Sequence, residues 1–153
     1  MNFHTPADNS VATFLQDRFS REKPKNLGAI IDMLMEEKEY REAAKRGAGP
    51  EILVGSRERR VNKIMVDMTG GTEGSKEIFA KLSAAGVDTM VGMHFSDEHK
   101  KAILAANMNA VIAGHIASDD LGMNLVIDYI EKKLGVLKVY DASGFIRVKR
   151  GKK

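Results

Sequence analysis

Cysteine is absent from the 153 residues, which removes disulfide bonds, a thiolate nucleophile and sulfur-ligated zinc from consideration. Any metal held here must be held by imidazole and carboxylate, and such donors suit borderline or hard divalent ions. Long apolar runs are missing too. The longest, around Ala29-Ile30-Ile31 and Ala110-Val111-Ile112-Ala113, fall far short of the roughly 20 residues that cross a bilayer. The opening Met1-Asn2-Phe3-His4-Thr5 lacks the basic start and apolar core of a secretory signal, so a cytoplasmic protein without membrane attachment is expected. Repeats of solenoid length and low-complexity segments are also lacking.

The composition that remains, 43% apolar and 29% charged, is that of an ordinary globular chain. At 153 residues one α/β domain spanning 1–153 can bury a continuous core. The net charge of +3 invites a nucleic-acid reading, but residues 147–153 carry Arg147, Lys149, Arg150, Lys152 and Lys153 and no acid. Taking those five from 24 leaves 19 basic against 21 acidic residues. The basicity is thus a property of a tail, expected to be solvated, and nucleic acid is set aside as a partner.

Apolar periodicity divides the chain into two textures. Val11, Phe14, Leu15 and Phe19 recur at helical spacing behind the candidate caps Asp8-Asn9-Ser10. Leu27, Ile30, Ile31 and Leu34 predict a second amphipathic helix, running on through Tyr40, Ala43 and Ala44. From Glu51 short β-like runs take over: Ile52–Val54, Lys63–Asp67, Thr89–Met93 and Ala110–Ala113, the last three each followed by a helical pattern. Those helices are predicted to open at Ser75, Ser96 and Ser118. Strand then helix, three times over, is the signature of βαβ units on a mostly parallel sheet with flanking helices. Leu137–Tyr140 and Phe145–Val148 read as two further strands, a C-terminal antiparallel edge.

Ligands of open α/β sheets bind beyond the carboxyl ends of the strands, and that rule selects His94 and His115. Asp119 lies four residues after His115, so imidazole and carboxylate can converge on one cation. His4 and Asp8 repeat the spacing. By spacing alone, Asp119 and Asp8 serve equally well as helix caps or dipole partners, and a strand-end histidine as a surface residue. His99 is expected to be solvated. The glycine-rich loop Thr69–Gly74 has the backbone for an anion cradle but neither the P-loop ending nor the dinucleotide order of glycines; a close strand-to-helix turn explains it as well. The nine methionines read as core filling.

The runs VGSRERRVNKIMVDMTGGTEG (54–74) and GVDTMVGMHFSDEHKKAILAANMNAVIAGHIASDDLGMN (86–124), with HTPADN at the start, resemble the C-terminal half of the NIF-three-like dinuclear metal-centre family. Some members of that family carry the name GTP cyclohydrolase 1 type 2. The resemblance implies divalent metal (Zn, Mn or Fe) held by Asp8, His115 and Asp119; beside them, His4 and His94 are expected to line the site by their place at the helix start and strand end. It also implies a homo-oligomer and a hydrolase acting on a nucleotide or another phosphate-bearing small molecule. The family's late acid is usually glutamate, so Asp119 is one methylene shorter, and His94 stands where many members carry an acid. No His-His pair of the family's upstream half occurs, so a separate N-terminal half is a candidate partner. The other reading is a non-catalytic metal-binding assembly or interaction module.

Overall fold

The computed structural model describes residues 4–69 and 75–150, without the side chains of His4 and Thr5. Three helices come first, α1 (His4–Glu22), α2 (Leu27–Met35) and α3 (Lys38–Ala44). Strands then alternate with helices: β1 (Glu51–Val54), β2 (Ile64–Asp67), α4 (Ile78–Ala84), β3 (Thr89–Gly92), α5 (Asp97–Ala105), β4 (Asn109–Ile112) and α6 (His115–Leu134). The sheet order is β1-β4-β3-β2. β2, β3 and β4 run parallel, with Ile64 beside Thr89 and Thr89 beside Asn109, as two successive βαβ units require.

The core explains the strand sequences. Met90 and Ala110 face α4 and α5, where they join Phe79 and Ile103. Their neighbours Val91 and Val111 face the other way, into a cluster with Leu15, Ile30, Leu34 and Leu121 from α1, α2 and α6. A sheet covered on both faces needs continuous apolar strands, and β3 is buried at every position. Ser96 caps α5 as its sequence predicts, accepting from the His99 amide at 3.3 Å.

Four expectations are corrected. The antiparallel edge is β1, which pairs with β4 through an irregular register between Ile52 and Val54. The C-terminal run forms no strand: its one pairing is an isolated bridge between Ala142 and Phe145, and Asn124 takes the place of a ladder by accepting from the Val148 amide and donating to the Ile146 carbonyl. The long second helix is broken at Glu36-Glu37, where Arg18 takes the Met33 carbonyl and Arg41 those of Met35 and Glu36. Both flanking helices also start earlier than their candidate caps, α1 by His4 and α6 at His115, which puts Asp8 and Ser118 inside helices.

The remaining free edge, on β2, is closed by a side chain. Gln16 donates to the Ile64 carbonyl at 3.2 Å and accepts from the Val66 amide at 3.0 Å, copying the hydrogen bonds of an absent neighbouring strand. In the described part of the basic tail, Arg147 and Arg150 are not solvated either. Arg147 reaches Asp128 and Glu131 on α6, and Arg150 holds Glu37 and Glu39. His99 is buried, edge-on to Phe79 at 5.3 Å between ring centres. Residues 70–74 of the glycine-rich loop lie outside the described residues. Among the described residues no helix is long and apolar enough to cross a membrane.

Candidate functional site

β3 and β4 are adjacent parallel strands, so whatever follows them is delivered side by side. After β4 the chain turns at Gly114, whose φ of +103° is open to glycine at little cost and whose absent side chain leaves room for the Ala48 carbonyl. The turn makes His115 the first residue of α6. Ser118, fully buried, clamps it by donating to the Gly114 carbonyl at 2.6 Å and sharing a hydrogen bond with Tyr40 Oη at 3.0 Å. Burial raises the Tyr40 hydroxyl's pKa, so it stays a neutral partner.

His115 then meets two predicted site residues. Its ring stacks on His94, with centres 5.2 Å apart and planes inclined by 14°. Its Nε2 lies 3.4 Å from Asp119 Oδ2, one turn along the helix, and both side chains remain about two-fifths exposed. Imidazole lone pairs lie in the ring plane, so near-parallel rings do not aim at one point between them. His94 is therefore a neighbour of His115 rather than its opposed partner, whereas Asp119 faces the imidazole nitrogen directly.

Asp8 is placed differently. A side chain at Gly122 would meet the Ala7 carbonyl oxygen at 2.8 Å, so α1 crosses α6 there. That crossing is roughly 10 Å along the helix axis from His115 and about 5 Å from Asp119. Asp8 follows Ala7 at that crossing, with its Oδ1 shielded from solvent. The side chain of His4 lies outside the described residues. Among the described residues, no three His, Asp or Glu side chains converge as a metal ion would need.

A cavity of about 480 Å³ opens next to the histidine pair, walled by His94, His115, Arg46, Glu42, Asp120 and the returning segment at Ile146. That size suits a small molecule. Sequence reasoning missed Arg46, Glu42 and Asp120; the only signal was the glycine-rich break Gly47-Ala48-Gly49, which marks a chain reversal at the cavity's rim. Asp120 is pushed up to about 6, chiefly by burial, then by Glu39 and Asp119, with Arg46 opposing.

That displacement has a sign that stability can report. A folded-state pKa above the unfolded one means the folded chain binds more protons between about pH 4 and pH 6, so stability falls as pH rises through that window. Above it the burden is constant, about 1 kcal/mol once the side chain's partial exposure is discounted. Asp120→Asn should accordingly raise the thermal midpoint at pH 7.5 and leave it nearly unchanged at about pH 3, below the unfolded pKa. An equal gain at both values would show that the carboxylate's charge is not the cause.

Neither a family model nor a curated protein matches the sequence. Solved structures do. The chain is similar to a NIF3 superfamily protein from Sphaerobacter thermophilus, with a TM-score of 0.65 and 25% identity over 85% of this chain and 46% of that one. A Bacillus cereus protein related to NIF3 matches 70% of this chain and 31% of its own at 21% identity; its TM-score of 0.41 is too low to argue from. The chain spans about half the length of the Sphaerobacter protein it matches.

Proposed function

Since this chain is NIF3-like over 85% of its length, we propose that it supplies part of a divalent-metal centre for hydrolysis of a phosphate-bearing small molecule such as a nucleotide. The observation that supports this reading is the His115–Asp119 pair, an imidazole nitrogen and a carboxylate oxygen 3.4 Å apart at the carboxyl end of a parallel sheet, with His115 in the wall of a small-molecule cavity. The donors suit Zn, Mn or Fe, but two are too few: such ions take four or more ligands. Asp8, across the α1–α6 contact, is the third donor this chain offers, and the rest would come from a second copy or an upstream half.

When bound, the cation would supply Lewis acidity toward a phosphoryl oxygen. The chain's own residues bind and orient. Arg46 offers a guanidinium to a phosphate at the cavity mouth, and His94 offers a hydrogen-bonding ring beside His115. The apolar wall from Met93, Ile112 and Ile146 keeps water from the inner end.

The test is elemental analysis of the purified chain beside His115→Ala and Asp119→Ala. Near-stoichiometric metal in the parent that is lost from both variants, with unchanged circular dichroism, is the expected result. Metal that persists in both variants would end the assignment of these ligands.

The second reading is a metal-binding assembly module without catalysis, and the short donor set favours it. Tyr129, Leu134, Val136 and Tyr140 leave an apolar surface exposed at the far end of α6, suited to a homo-oligomer. Chelation discriminates: a structural metal lowers the thermal midpoint or dissociates the oligomer, and a catalytic one costs activity alone.

A further inference from the structure

With the tail arginines paired internally, the open positive charge of this chain lies elsewhere. A groove of about 780 Å³ runs between the end of α1, the connection to α2 and the segment entering β2. It is at the amino end of the parallel strands, the opposite end of the sheet from His94 and His115. Lys23, Lys25, Arg60 and Lys63 line it together with the amides of Gln16 and Asn62, and no acidic residue does. Among the described residues none of these four cations pairs with a carboxylate. Of the acids adjoining the groove, Asp88 accepts from the backbone and side-chain amides of Asn62 at 2.9 and 2.8 Å, and Glu22, next to Lys23, is paired with Arg18 at 3.0 Å.

The groove is built rather than incidental. The Val61 amide donates to the Lys25 carbonyl at 3.0 Å, and Asn26 bridges to Arg60, so both walls are tied together by backbone. Lys63 is held by one hydrogen bond, to the Ala85 carbonyl at 2.9 Å, and keeps further donors. Lys23 sits just past α1 with φ of +51°, a left-handed position where glycine would fold at lower cost. A lysine there sacrifices backbone comfort for a cation at the groove's edge.

We propose that this groove binds the phosphate chain of an oligophosphate anion. Four cations and two side-chain amides, with no competing acid, match an elongated anion rich in oxygen acceptors. Phe19, the aromatic residue in its wall, is only 2% exposed and offers no face for stacking. Recognition therefore ends at the phosphates. Free inorganic oligophosphate and the triphosphate of a nucleotide are the two sources of that chemistry.

Isothermal titration of the full chain, free of divalent metal so that the proposed metal centre takes no part, tests the groove with both. Sodium tripolyphosphate and ATP should bind alike, with affinity falling steeply between about 50 and 200 mM salt. Lys23→Gly and Arg60→Ala should each weaken binding roughly three- to tenfold. Lys23→Gly should do so with a thermal midpoint at or above the parent's. The proposal is overturned by absent tripolyphosphate binding, by equal competition from sulfate, or by ATP binding more than about tenfold tighter, which would place recognition in the base. Unchanged binding by Lys23→Gly with a lowered midpoint would also overturn it, assigning that lysine to the helix terminus alone.

Discussion

Arg150→Ala should lose about 3–5 kcal/mol of stability, a large fraction of what a domain of this size has. Its guanidinium forks onto Glu39, with Nη1 to Oε1 at 3.0 Å and Nη2 to Oε2 at 2.7 Å, and also reaches Glu37 at 3.0 Å. The Glu39 side chain is 2% exposed. Without Arg150 its carboxylate would keep, among the described contacts, only the Asn124 amide at 2.9 Å. A buried charge so stranded costs far more than the pair itself contributes, because desolvation is no longer offset. Adding Glu39→Gln to Arg150→Ala should therefore recover much of the loss. Urea unfolding of both variants measures this; a midpoint for Arg150→Ala within experimental error of the parent would show that the tail does not hold this charge. The consequence reaches the cavity, since the segment that Arg147 and Arg150 pin down supplies Ile146 and Val148 to its wall.

Gly122→Ala should be the most damaging single-methyl change in the helices. In a free helix it would gain about 1 kcal/mol from propensity. Here the new Cβ would lie 2.8 Å from the Ala7 carbonyl oxygen and 3.0 Å from both its carbonyl carbon and its Cβ. Backbone cannot rotate aside as a flexible side chain does, so α1 and α6 must separate. The net expectation is a loss of about 1–3 kcal/mol. Because Asp8 rides on α1 and Asp119 on α6, metal retention should fall as well. Thermal melts and elemental analysis of the same preparation test both parts. A stabilised variant with undiminished metal would mean that the two helices do not define the donor spacing.

The helices and parallel strands were largely legible because their signals are local. Thr89-Met90-Val91-Gly92 and Asn109-Ala110-Val111-Ile112 are apolar runs of strand length, each followed by a helical period, and both fall where they were expected. Boundaries failed where a distant residue intervened. Arg18 and Arg41 end α2 from outside it, and no short window centred on Leu34 contains Arg18 itself. The strand-like Phe145–Val148 was misread for the same reason: its alternation is real, but Asn124, Arg147 and the acids of α3 and α6 satisfy it away from the sheet.

What the sequence by itself determined was that any metal donors are imidazole and carboxylate without sulfur, and that His94 and His115 stand at the ends of strands. Both follow from composition and from short-range periodicity, which need no knowledge of the partner. Tertiary structure alone decided that His94 stacks on His115, that α1 crosses α6 where Ala7 meets Gly122, and that Arg147 and Arg150 lie against acids while Lys23, Lys25, Arg60 and Lys63 stay open. Those outcomes depend on which surfaces pack and how closely. Charge and imidazole acquire their roles from neighbours that the chain brings together only when it folds.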